Sequence, residues 1–328
     1  MKKRTLLAAL CLLAASTAVA SVRISDLDDS GVNVNKIVKK VPAANPVTLA
    51  PAEADTLLAR ILKERTDTEI WLQTAPTSYL AAIARRDFGD KRTLSIGTDG
   101  SNEVRVADST LRIRHLRVTV AGDSFRVDGL DPSATFVVNG DSLHSAVLAP
   151  GSLRAGRFTL RLSHQRYPAI IVFDPQSPRL SEYKGLRWFP VDPRMRFVAP
   201  LTENPEPDTV EILSTHSQPR QAIRAGWFVL SIGGKRVVLE ATRLIEPGVG
   251  ENDLSIFFRD GTTGKDSYDV GRYLDPERRD DGTYVLDFNN AYNPACAVSP
   301  HYNCPIPPKF NKLKVSIKAG EMDHKYQH

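Results

Sequence analysis

Between Pro51 and Leu62 apolar residues recur three and four apart, at Ala54, Leu57, Leu58, Ile61 and Leu62. That is the repeat of one helix face, and Pro51 suits a first helical turn, so the pattern predicts a short helix packed on the next domain. From Thr93 the period changes to two. LRVTV, SFRV, TFVV and FTLRL are short alternating runs cut by GDS, DPSA, NGDS and APGS. Valine, threonine and phenylalanine at period two predict strands, and so many short strands need two packed faces. At Tyr183–Phe197 the pattern breaks into YKGLRWFPVDPRMRF. Its two prolines and its Trp188-Phe189 pair predict a stiff connector whose aromatics dock on a domain. Alternation resumes after Pro200. AGWFVLSIGGKRVVLEATRLI reads as strand, Gly233-Gly234 turn and strand, and DLSIFF, GTYVLDF and NKLKVSIKAGE read as further strands. The expectation is a mainly β chain with a short N-terminal helix: a β sandwich over 51–182 including that helix, a connector over 183–199, and a small β barrel or sandwich over 200–328.

The first fifty residues obey a different logic. Lys2, Lys3 and Arg4 precede an apolar run that closes on Ala18-Val19-Ala20. This predicts a cleaved secretory leader over 1–20 and a periplasmic or secreted product, as in a bacterial envelope. No later stretch is apolar for long enough to span a bilayer. Residues 21–50 are polar and without a period, as in a linker arm. Losing the leader's three basic residues lowers the net charge from +5 to +2. The basic balance is then largely targeting, and nucleic acid is not an expected partner.

"LSIGTDGSNEVRVAD", "RIRHLRV", "ATFVVNGDSL" and "LAPGSLRAGRFTLRL" succeed one another in the first β region. In that order they resemble a forkhead-associated domain, a β sandwich that reads phosphothreonine. The family holds phosphate with an arginine just after the first glycine and a serine three residues before the histidine. Here Thr98 comes after Gly97, and Arg112 stands before His115. Without the arginine's fork the main charge-assisted contact is missing. The resemblance therefore implies the fold without the ligand, and His115 as a structural turn histidine.

The second β region gathers its polar groups where strands meet loops: Asp260, Arg272, Tyr273, Asp287, Asn289, Tyr292 and Asn293, with Glu240 and Glu321 as further carboxylates. Two readings stand. In one, Asp260, Arg272 and Asp287 form a buried network that holds turns in place. In the other, Arg272, Asp260, Asp287, Asn289 and Asn293 bind a small anionic ligand, with Arg272 as anchor. Asp260 or Asp287 would then be the general base of a hydrolase, and Tyr273 or Tyr292 its donor. No G-x-S-x-G, HExxH or Walker loop supports a named enzyme.

"RWFPVDP", "FFRDGTTGKDSYDVGRYLD", "DFNNAYNPACAVSPHYNCPIPP" and "NKLKVSIKAGE" resemble the family called domain of unknown function 1684. The motifs fall on Phe258, Arg259, Asp260, Gly271, Arg272, Tyr273, Asp287, Asn289, Tyr292, Asn293, Cys296, Cys304, Asn311, Gly320 and Glu321, and the likeness is read over essentially the whole chain after the arm. It implies an architecture and no reaction.

Cys296 and Cys304 are the only cysteines beyond the leader. Three readings stay open. An even count in an exported chain favours a disulfide that pins a proline-rich cap, worth about 2–3 kcal/mol. A metal could instead sit on Cys296, His301 and Cys304, completed by a carboxylate such as Asp287. A reactive thiol pair is the third, although the flanks lack the usual positive group. The combined expectation is an exported protein without cofactor that binds a small anionic ligand or envelope component. A hydrolase in the same pocket and a structural envelope partner are the alternatives.

Overall fold

The computed structural model describes residues 33–324, Arg166 excepted. The expected leader and the start of the arm lie outside the described residues. Up to Lys40 the chain is a small unit of its own. It contains α1 (Val34–Val38), begun by Asn33, whose side chain accepts the Lys36 N–H at 3.0 Å. From Val41 onward the chain is one compact unit, with two large hydrophobic cores.

The helix near Pro51 is longer than its apolar repeat suggests: α2 runs Pro51–Thr74, 24 residues. Glu53 accepts the Ala50 N–H at 2.8 Å and closes the start. Ala75 is extended because Pro76 comes next, and the helix ends there. Leu57, Ile61 and Leu72 are buried, while Leu58 and Leu62 face outward. The pattern fades after Leu62 because the later turns mix exposed i,i+4 pairs such as Lys63–Asp67 with few apolar contacts, of which Leu72 packs on Leu80 and Val298.

The first β region is a sandwich. One sheet has the order Ala82–Asp87, Tyr167–Phe173, Phe158–Gln165, Gly151–Ala155, Phe136–Val138, Asp141–Leu143. The other has the order Val104–Arg105, Thr93–Gly97, Leu116–Ala121, Ser124–Gly129, Ser145–Leu148. Both sheets supply the first core, in which Phe125, Phe136 and Phe158 are fully buried. Alternation does what it predicts: Phe125 and Val127 point in and Arg126 points out. The strand Ala82–Asp87 was not legible, because Arg85, Arg86 and Asp87 break its apolar period. Its partner Tyr167–Phe173 turns Ile171 and Phe173 to a second small cluster, on which Tyr302 packs. His115 is buried, with one ring nitrogen 3.2 Å from the Thr135 carbonyl, and burial pulls its pKa down. It is a structural residue of the turn.

The second β region builds three short sheets on one core. Arg220–Ile232 pairs with Lys235–Leu244 through the Gly233-Gly234 turn, where both residues have positive φ. Its other edge takes Thr202–Glu203 and Thr209–Ile212. Tyr284–Asp287 lies between Arg196–Ala199 and Glu277–Arg278, and Ile256–Phe258 pairs with Arg272–Leu274. Phe288 meets Phe197 and Phe258 edge-on, with centroids 6.0 and 5.7 Å away. Ala44 joins this region from the arm: its N–H donates to Val229 and its carbonyl accepts from Ser231.

The closing strand expected in NKLKVSIKAGE is not formed. Residues 313–320 form no ladder: Arg272 from a strand and Asp260 from a loop take backbone groups of Ile317 and Ala319, and the Val315 and Gly320 carbonyls accept from the Gly261 and Phe189 N–H groups. Alternating apolar residues there record burial against the core, as at Ile317 and Ala319, and not strand pairing.

In the sandwich, Glu103 accepts the Ser95 N–H at 2.9 Å and the Ser95 hydroxyl at 2.8 Å, which lowers its pKa from 4.5 to about 2. A depressed folded-state pKa stabilises above the unfolded value and is lost as pH falls through the folded one. Glu103→Gln should therefore flatten the loss of stability between pH 4.5 and 2, by on the order of 1 kcal/mol after solvent screening. Urea midpoints across that range measure it, and parallel curves for the two proteins would refute it.

Candidate functional site

Arg272 and Asp260 form a fully buried ion pair, with neither side chain exposed and an Nη2–Oδ2 distance of 2.9 Å. The guanidinium also donates to the carbonyls of Ile317 at 2.8 Å, Glu321 at 3.3 Å and Ala319. It lies between the rings of Phe189 and Phe258, 5.6 and 5.4 Å from their centroids. Burial lowers its pKa and the charge of Asp260 works against that shift. Asp260 in turn accepts from Thr262 N–H, the Thr262 hydroxyl and Ile317 N–H. The structure thus brings Arg272 and Asp260 together in the core, where they line no cavity. The ligand anchor and the general base read from the sequence are not available there, because each is enclosed by the other and by backbone.

Asp287 and Asn289 make a second fastening. Asp287 accepts from Arg196 at 2.7 Å and from the Asn289 side chain at 2.9 Å. Asn289 is wholly buried and exchanges bonds with both backbone groups of Asp192, so it ties the connector to the strand end. Tyr273 and Tyr292 exchange both backbone bonds. The Tyr273 hydroxyl donates to the Pro305 carbonyl, and burial pushes its pKa up. The Tyr292 hydroxyl donates to Asp275 at 2.8 Å. Glu240 pairs with Arg224 at 2.9 Å, away from these residues in the buried sheet. Of the expected base–donor pairs, none is assembled.

The proline-rich stretch lies along residues 213–215 through bonds such as Ile306 N–H to the Leu213 carbonyl. Cys296 and Cys304 are neighbours: the Cys296 N–H donates to the Cys304 sulfur at 3.3 Å. Both are buried free thiols in this structure. The hydrogen bond between the sulfurs, with burial, pushes the Cys296 thiol up, and the same bond pulls Cys304 down. The metal set does not form. Among the described residues no three His, Cys, Asp or Glu side chains converge, and His301 is held neutral, its pKa pushed down to about 4 by burial and then by Arg179, His216 and Arg85.

A cavity of about 590 Å³ opens beside this network. Three segments wall it, with Tyr79 from the turn after α2. Helix α2 contributes Ile61, Arg65, Thr68 and Trp71, at the three- and four-residue spacing of one face. The connector contributes Trp188. The motif region contributes Tyr292, Asn293 and Glu321. Arg65 fastens the helix in place: it donates to the Phe189 carbonyl at 3.1 Å and the Asn289 carbonyl at 3.4 Å, and lies 4.7 Å over the Trp188 ring. Glu69 adds bonds from the Tyr183 hydroxyl and the Leu186 N–H. Asn293 is held by its N–H to Glu321 at 2.8 Å and by its amide to the Met322 carbonyl at 2.8 Å. The expected site residues Asn289, Asn293 and Tyr292 reach this cavity, and Asp260, Arg272, Tyr273 and Asp287 do not.

The profile of the family described as "Protein of unknown function (DUF1684)" matches residues 181–322. The chain belongs to this family. An uncharacterized protein of Haloarcula marismortui, solved by solution NMR, is 33% identical over 47% of this chain and 85% of its own, with a TM-score of 0.38. The FHA domain of the CT664 protein of Chlamydia trachomatis is 15% identical over 25% of this chain and 76% of its own, at 0.19. Mycobacterium tuberculosis EmbR, in complex with a low affinity phosphopeptide, is 14% identical over 39% and 32%, at 0.19. No curated protein matches the chain.

The DUF1684 segment begins at the connector, so it includes neither the first β region, over which the sequence likeness was read, nor α2. Within it the motif glycine Gly320 has φ +79°, and a Cβ there would stand 2.4 Å from the Ala291 carbonyl oxygen. Only glycine lets the last segment pass so close. Arg65, Thr68 and Trp71 were missed because they lie outside the DUF1684 segment and their helix face mixes polar with apolar residues. Trp188 carried a signal, as an aromatic in a proline-rich connector.

Arg272→Ala leaves the Asp260 carboxylate buried without its partner. It should cost about 3–5 kcal/mol of stability. Urea denaturation checks this, and an Arg272→Ala protein of unchanged stability would contradict the network.

Proposed function

We propose that this DUF1684 protein is exported and binds a small molecule in the cavity between α2, the connector and the motif segment. One observation carries the reading. Beside the network in which Arg272 and Asp260 enclose each other stands a cavity of a size usual for ligand sites, walled by Trp71, Tyr79, Trp188 and Tyr292 and backed by buried Asn293 and Glu321. A purely structural region would be packed solid there. The leader read at Lys2–Ala20 supports export, and the envelope is then where the ligand is met. An anionic ligand is less well served than the sequence suggested. The cation at the cavity is Arg65, and both its terminal nitrogens are engaged by carbonyls. The bases expected of a hydrolase, Asp260 and Asp287, do not line the cavity.

In the exported protein we further infer a Cys296–Cys304 bond, because the two side chains are already adjacent and the compartment is oxidising. Intact mass of the denatured protein without reductant should be short by two hydrogens. Full thiol mass would rule the bond out.

The ligand reading is tested at Thr68, which sits exposed at the rim and whose hydroxyl bonds only its own helix, at the Glu64 carbonyl. N-phenyl-1-naphthylamine, a neutral fluorescent probe, should bind saturably at one site. Thr68→Trp should weaken that binding at least about tenfold, a change of roughly 1.4 kcal/mol, with an unchanged melting temperature. No saturable binding, or equal binding by both proteins, would remove the cavity as a ligand site.

A further inference from the structure

Three carboxylates line this cavity, Glu64, Asp67 and Glu321, against one cation, Arg65. Glu64 and Asp67 are open to solvent, with side chains 45% and 56% exposed. A charge acts over several ångströms, so neither has to touch a ligand to sort it by sign. Their i,i+4 partners, Arg60 and Lys63, stand 2.6 Å away and do not line the cavity. Exposed pairs of this kind gain little over hydration, so a second cation can compete for the carboxylates. Glu321 accepts the Asn293 N–H at 2.8 Å and pairs with His324. Arg65 is committed to the Phe189 and Asn289 carbonyls and to the Trp188 ring. At the Tyr292 wall burial, and after it the Asp275 carboxylate, push the phenol pKa up. Negative charge is thus disfavoured there too.

The rings favour the same sign. Trp71 and Tyr292 are 39% and 36% exposed, and the face of such a ring is electron-rich. Trp188 already holds a cation in this way, with Arg65 4.7 Å from its centroid. A carboxylate, phosphate or sulfonate meets repulsion from both the acids and the ring faces. A neutral apolar molecule suits Ile61, Leu72, Leu186 and Val298 but gains nothing from the acids. An ammonium group on an apolar body uses both kinds of wall. We propose that the cavity takes an organic cation, an apolar body that carries an ammonium group. This rests on the reading of the cavity as a ligand site.

Three probes that share a naphthalene body and differ in charge test it on the full exported chain. They are neutral N-phenyl-1-naphthylamine, its anionic 8-sulfonate, and N-(1-naphthyl)ethylenediamine, which carries an ammonium. In calorimetric titration the ammonium probe should bind at one site, displace the neutral probe, and bind at least about tenfold more tightly than the sulfonate. High salt should shrink that preference. Glu64→Gln with Asp67→Asn removes two exposed carboxylates and should cut the preference at least about threefold. Equal or tighter binding of the sulfonate overturns the proposal. So does neutral-probe binding that the ammonium does not displace, or a preference that the double variant leaves unchanged. Should the double variant not fold, salt decides, and a preference that high salt leaves intact overturns the cation. Failure of the naphthylamine together with both charged probes brings down the ligand site as a whole.

Discussion

The enclosure of Arg272 with Asp260 is the constraint on which the C-terminal half depends. Removing both charges from water is costly, and the pair is tolerable because both terminal nitrogens of Arg272 and both oxygens of Asp260 meet partners. Among those partners are backbone groups of residues 317–321. The pair therefore performs the task of a missing neighbouring strand. It holds the last segment against the core while leaving that segment free of a ladder. Gly320 gives the close approach, and Glu321 arrives beneath Asn293. The position of the cavity wall results from that chain of contacts.

The opposite wall has another origin. Helix α2 precedes the DUF1684 segment and is attached to it by Arg65 and Glu69. Because Arg65 engages the connector and the Asn289 carbonyl at once, the helix is fixed at the place where the motif asparagines emerge. The aromatic lining is accordingly shared: Trp71 from the helix, Trp188 from the connector and Tyr292 from the motif. A cavity assembled from distant segments has its polar atoms set by several independent fastenings.

Several elements were legible in the sequence because their cause is local. The alternation in SFRV and FTLRL became buried and exposed faces, and Gly233-Gly234 became a hairpin turn. The motif residues marked out where polar groups cluster. Their roles were not legible. Arg272 reads the same whether it faces solvent, a ligand or a buried carboxylate, since its charge is fixed and its surroundings come from residues ten to eighty-three positions away. The alternation in NKLKVSIKAGE likewise recorded burial and could not reveal that side chains, and not a strand, would meet its backbone. The strand Ala82–Asp87 was hidden for the converse reason: its pairing lies almost ninety residues on, and its own charges blur the period.

By itself, then, the sequence determined the mainly β architecture and the family, and it raised the expectation of a leader. Each depends on period, turn chemistry or an ordered motif, which neighbouring residues specify. Only the tertiary structure decided that the arginine–aspartate pair is a core fastening, that the two thiols are neighbours, and that the cavity lies under a helix outside the DUF1684 segment. Those outcomes depend on which distant groups share the same enclosed space, and desolvation and hydrogen-bond partnership are properties of that space.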